Sequence, residues 1–109
     1  YFHLGLRRTT SAEEVEWRIA SNPWVARTHK RMSSLVFSYG RDVGPSGRLM
    51  SHAVFVMPTV SVRREREVVG FCFTPQDGNV LSSTVAALRA VEPDLDATSL
   101  LRPYLLPEV

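Results

Sequence analysis

Two adjacent arginines, three histidines and one cysteine are the side chains of this sequence best equipped for chemistry. Arg7 and Arg8 follow an alternating apolar run and stand just ahead of a helix start. Guanidinium groups hold carboxylate or phosphate through paired N–H bonds, and a helix start offers unpaired backbone amides. One reading is an anion-binding pair; the other is two arginines facing water. Cys72 lies between Phe71 and Phe73. A reactive thiolate needs a cation, a base or a helix start beside it. Its sequence neighbours supply none, so it reads as a packing residue. His3, His29 and His52 lack the spacing of metal ligands. His3 is on a strand able to face a cleft, which leaves it a candidate base against the plainer reading of a structural or solvated imidazole. Gly44-Pro45-Ser46-Gly47-Arg48 is a turn followed by an arginine, a weak phosphate-binding pattern.

The patterns that announce nucleotide and acyl-transfer sites are missing. No Gly-x-Gly-x-x-Gly follows a strand, and neither a P-loop nor Gly-x-Ser-x-Gly occurs. No cofactor site is expected within this chain alone.

The elements that must position these residues can be read in order. Tyr1 to Arg8 alternates like a strand, with Phe2, Leu4 and Leu6 on one face. Thr10 with Glu13, or Ser11 with Glu14, forms a capping box, and Ala12, Val15 and Ile19 make the buried stripe of a helix. Asn22-Pro23 ends it, since proline pushes its predecessor out of the α region. Trp24 to Met32 carries Arg27, His29, Lys30 and Arg31 and reads as a solvated connection, with an anion-contacting loop as the alternative. Ser33 to Gly40 reads as a second strand with Leu35, Phe37 and Tyr39 on one face. Ser51 to Thr74 is the centre of the reading. Its β-branched and aromatic runs, joined by Arg63-Arg64-Glu65-Arg66-Glu67, predict a hairpin, and Pro58 marks an edge or a bulge. The link holds no Gly or Asn to set a turn type. Gln76-Asp77-Gly78-Asn79 breaks the last strand and offers Asn79 as the cap of a helix over 80–91. The tail, Leu100 to Pro107, is too apolar for a free end and is expected to pack across the body or into a partner subunit.

These readings give the order β-α-β-β-β-α plus an apolar tail. The expected fold is an α+β two-layer sandwich, a mostly antiparallel sheet with helices on one face. A length of 109 residues is one domain, and 44% apolar with 22% charged residues builds an ordinary core. The sequence opens inside an apparent strand with no signal-peptide pattern, which predicts a domain of a longer chain. No apolar run approaches a membrane span of roughly 20 residues. Lys30 is the single lysine among 13 basic residues. That bias reads as codon usage or, alternatively, as anion recognition. One cysteine excludes an internal disulfide, and a cytoplasmic setting is the default.

Two resemblances widen the reading. Val69-Gly70-Phe71-Cys72-Phe73-Thr74 and Tyr1-Phe2-His3-Leu4-Gly5-Leu6 are similar to the paired aromatic strands of RNA-binding modules of the RRM type, which would imply base stacking. The strand order argues against that family, so nucleic acid is the disfavoured partner. The second resemblance covers most of the chain. Thr9-Thr10-Ser11-Ala12-Glu13-Glu14-Val15, then Tyr39-Gly40-Arg41-Asp42-Val43-Gly44, Gly47-Arg48-Leu49, and Asn79 leading into Ala86-Ala87-Leu88-Arg89-Ala90 occur in a familiar order. That order resembles the second half of the C-terminal domain of glyceraldehyde-3-phosphate dehydrogenase-like enzymes, the archaeal type most of all.

This resemblance implies an α+β substrate and oligomerisation domain of an NAD(P)-dependent phosphorylating aldehyde dehydrogenase, inactive by itself. NAD(P) would be bound only by a nucleotide-binding domain outside these residues, and a homo-oligomer is implied. Such enzymes form a thioester on a cysteine at a helix start, with a histidine as base. Cys72 does not match that setting. His3 is the residue that matches the base, and Arg7-Arg8 resembles the family's phosphate-contacting arginines.

Overall fold

The apolar run over 51–74 folds into strands that cross between two sheets. In the computed structural model, which describes residues 1–44 and 47–109, the order is β1 (Phe2–Gly5), α1 (Ala12–Ser21), β2 (Val25–Thr28), α2 (Ser33–Val43), β3 (Ala53–Val56), β4 (Ser61–Arg63), β5 (Glu67–Gly70), β6 (Cys72–Phe73), α3 (Gln76–Val91) and α4 (Ala97–Leu101). The fold is α+β, as expected. The strands form two three-stranded sheets, ordered β1-β5-β4 and β2-β3-β6. Every pairing is antiparallel except β2 with β3. Among the described residues no helix is long and apolar enough to cross a membrane.

The two sheets share strands that break and continue. A 3₁₀ turn at Met57–Thr59, holding Pro58, separates β3 from β4, and Phe71 separates β5 from β6. The Thr59 hydroxyl bridges the gap. It donates to the Val56 carbonyl at 2.7 Å and accepts from the Phe71 amide at 2.9 Å. Backbone groups left without ladder partners at the break are thereby satisfied. Gly70 admits the Phe2 ring, which a Cβ there would meet at 2.9 Å. Phe2 can then stand edge-on to Phe55 of the other sheet, with ring centroids 5.4 Å apart.

Two stretches correct the sequence reading. Ser33 to Gly40 is not a strand but most of helix α2. The alternating Leu35, Phe37 and Tyr39 are exposed, whereas Val36 and Gly40, four apart, are buried. A parallel β2–β3 pair needs a long crossover, and α2 supplies it. Trp24 to Met32 is not merely a connection. Its Val25–Thr28 is β2, with Ala26 and Thr28 fully buried. The core gathers Ala26, Val36, Leu49, Val54 and Val109, with Phe73 and Leu106 against them.

Helix α1 follows its sequence signals. Ser11 caps it by accepting from the Glu14 amide, Val15 is buried, and Asn22 closes it. Helix α3 begins four residues earlier than expected, at Gln76. Gly78 is no breaker there, because a Cβ would overlap the Ser51 carbonyl, so only glycine lets the helix lie this close. Asn79 is not the cap. Its side-chain amide donates to the His52 and Pro75 carbonyls. The tail packs across the body as expected. The Arg27 amide donates to the Pro107 carbonyl and the Val109 amide to the Arg27 carbonyl, which adds the last residues alongside β2.

Candidate functional site

Strand β1 presents Phe2 and Leu4 to one side, Leu6 follows just past its end, and Leu4 pairs in register with Val68 of β5. Helix α1 faces them with Val15 and Ile19. The helix does not close onto the sheet. A cleft of about 620 Å³ remains between them, floored by Val25 and Phe55 of the second sheet. That volume falls within the roughly 300–1,000 Å³ of small-molecule sites, and an apolar lining with few polar groups is their usual character.

The charged groups come from the link before α1 and from the helix, with Asn22 at the helix's far end. Arg7, Arg8, Thr9 and Thr10 from the link before α1 line the cleft, together with Glu14 and Arg18 of the helix. Arg18 contacts Glu14 at 3.0 Å, and the Thr10 hydroxyl donates to Glu14 at 3.1 Å. The bonds from Arg18 and Thr10 hold the Glu14 carboxyl below its ordinary range. Arg7 and Arg8 take part in no ion pair among the described residues. The link is tethered on both sides of the arginines. The Leu6 amide donates to the Arg66 carbonyl at 2.8 Å, and the Thr10 amide to the Glu65 carbonyl at 2.7 Å. The helix start itself is not an anion site. Ser11 occupies the Glu14 amide, and Glu13 and Glu14 already supply negative charge to the first turn.

The sequence-predicted residues divide. Arg7 and Arg8 share the cleft. His3 does not line it; its neighbours Phe2 and Leu4 do, and successive strand residues face opposite ways. The half-exposed His3 imidazole lies 3.6 Å from the Glu67 carboxylate instead. Cys72 is partly buried in β6, opposite Phe55. Arg48 is engaged by Asp77 at 3.1 Å, while Pro45 and Ser46 of the glycine-containing turn lie outside the described residues. In the basic stretch after Trp24, Arg27 meets Glu108 at 3.5 Å and Lys30 sits 4.4 Å over the Tyr39 ring. Of the two aromatics read as base-stacking candidates, Phe73 packs on the core and Phe71 is exposed beside Tyr1.

One pair escaped the sequence reading. The His52 Nδ1 lies 2.7 Å from the Ser82 hydroxyl, across 30 residues of sequence. Ser82 also donates to the Asn79 carbonyl at 3.0 Å. No spacing rule connects residues so far apart, and only the docking of α3 beside β3 joins them.

Comparison with known proteins finds no matching family model, no matching curated protein and no matching solved structure. The chemistry therefore rests on the side chains. The described lining of the cleft contains no histidine, cysteine or lysine. Its arginines are always charged and its walls are apolar. The cleft is equipped to hold an anionic group, and its one carboxylate, Glu14, is engaged by Arg18 and Thr10.

Proposed function

We propose that this chain is the substrate and oligomerisation domain of an NAD(P)-dependent, phosphorylating aldehyde dehydrogenase-like protein of the cytoplasm. In this reading it is inactive alone. NAD(P) and the nucleophilic cysteine come from residues outside these 109, and Arg7 and Arg8 hold the phosphate of an aldehyde substrate. His3 would serve as base only for a site on the other side of β1 from the cleft.

One observation carries the reading: the chain leaves apolar surface uncovered that a self-sufficient domain would bury. The molecule is a slab of 39 × 35 × 19 Å with a radius of gyration of 14.7 Å, against about 13 Å for a compact chain of this length. Residues 86–91 of α3 are exposed all round, although Ala86, Ala87, Leu88, Ala90 and Val91 are apolar. Apart from Arg89 this end of the helix is apolar, and apolar helix surface of that extent is cover for a partner. Partner surfaces, a nucleotide-binding domain and a second copy of the chain, supply that cover. The order of short motifs that resembles the archaeal enzymes is in line with the same reading.

The test is the complete reading frame that encodes the chain. A strand–Gly-x-Gly-x-x-Gly–helix unit and a cysteine at a helix start upstream of Tyr1, with NAD(P)-linked oxidation of glyceraldehyde 3-phosphate by the whole protein, are expected. A frame without both elements, or a whole protein without that activity, overturns the assignment.

A further inference from the structure

The cleft has more apolar wall than a three-carbon sugar phosphate can use. Leu4, Leu6, Ile19, Val25, Phe55 and Val68 line it from five elements, α1 and strands of both sheets, and from the link after β1. The unpaired guanidinium groups of Arg7 and Arg8 come from that same link. The one carboxylate of the lining, Glu14, is already bonded to Arg18 and Thr10. Anchors at Leu6 and Thr10 fix the arginine link, so less ordering is left for a ligand to impose.

We propose that the cleft binds a small amphiphile, an unbranched apolar chain ending in a phosphate or carboxylate. The anionic head lies between Arg7 and Arg8, and the chain lies along the apolar wall toward Phe55. Charge complementarity selects the head, and the volume of about 620 Å³ selects a small molecule over a folded partner. This inference takes the same Arg7 and Arg8 that the dehydrogenase reading gives to a substrate phosphate and extends the ligand by a longer apolar chain; its test needs only the cleft, not the rest of the encoded protein.

The experiment is calorimetric titration of the 109-residue chain with octyl phosphate, octanoate, octyltrimethylammonium and inorganic phosphate, each below any micelle-forming concentration. One-to-one binding of octyl phosphate, of octanoate, or of both is expected, and the pattern tells a phosphate head from a carboxylate. Arg7→Ala/Arg8→Ala should weaken binding about tenfold or more, the scale of charge-assisted hydrogen bonds. Leu4→Glu, at a half-exposed position that leaves the fold intact, should weaken it at least as much by placing a carboxylate in the cleft. Circular dichroism confirms that both variants are folded. Failure of both anionic amphiphiles to bind overturns the proposal, as does octyltrimethylammonium or inorganic phosphate binding equally well. None of these outcomes bears on whether the encoding frame contains a nucleotide-binding domain, so the two readings fail separately.

Discussion

The carbonyl of Glu65 accepts a hydrogen bond from the amide of Thr10 at 2.7 Å. With the Leu6–Arg66 bond, it ties the arginine link to the tip of the β4–β5 hairpin. That tip is unusual in its residues. Arg64 and Glu65 have φ of 51° and 60°, and the Arg66 amide returns to the Arg63 carbonyl at 3.2 Å. Two consecutive left-handed residues match the twist of a hairpin. For side chains with a Cβ the conformation costs about 1–2 kcal/mol each.

Relieving that strain should stabilise the protein. Arg64→Asn/Glu65→Gly installs the dipeptide that this turn favours and keeps both backbone carbonyls. A gain of about 1 kcal/mol corresponds to a Tm rise of roughly 4–8 °C for a domain of this size. Thermal unfolding followed by circular dichroism reads it, and an unchanged or lower Tm contradicts the account of the turn.

Glycines 78 and 5 should behave oppositely. Gly78→Ala forces a methyl into the Ser51 carbonyl, at a cost of about 2 kcal/mol or more from displaced backbone. Gly5→Ala meets nothing within 4 Å and should leave stability within about 0.5 kcal/mol of the parent. Urea unfolding of the two variants separates them. Equal midpoints would mean that α3 does not lie against the Ser51 backbone ahead of β3.

Glu14 gives a pH signature. Its carboxyl is held below its ordinary value of 4.5, mainly by the hydrogen bond from Arg18 and then by that from Thr10. A depressed folded-state value means that folding favours the ionised form. The contribution is complete above about pH 4.5 and fades as pH falls through the folded-state value. The Tm gap between the parent and Glu14→Gln should therefore be present at pH 6 and close toward pH 3. A gap that widens on acidification contradicts the bond pattern at the mouth of the cleft.

How much of this was legible in the residues depends on the range of the signal. Helix α1 was readable because Ser11, Glu14 and Pro23 act within a few positions of one another. Helix α2 looks like a strand in the sequence because Leu35, Phe37 and Tyr39 alternate, although they are exposed and the buried pair is Val36 and Gly40. Strand β2 was hidden because a four-residue strand containing Arg27 is stabilised by β3 on one side and the tail on the other. Arg7 and Arg8 could be named from sequence. The cleft around them could not, because its walls come from residues spread between positions 2 and 68.

The uncovered end of α3 predicts self-association. Leu88 and Val91 are exposed, Val91 at 84%. Leu88→Arg/Val91→Glu should shift sedimentation toward monomer with Tm lowered by no more than a few degrees, since neither side chain belongs to the core. A parent chain that is monomeric at high concentration contradicts a homo-oligomer built through this face.

The most direct test of the central claim is steady-state kinetics of the whole encoded protein carrying Arg7→Ala/Arg8→Ala, with a phosphorylated aldehyde and its unphosphorylated counterpart. The account predicts that KM for the phosphorylated aldehyde rises about tenfold or more while that for the neutral one is unchanged, the loss expected for charge-assisted contacts to the phosphate alone. An equal change for both aldehydes, or none for either, would contradict it.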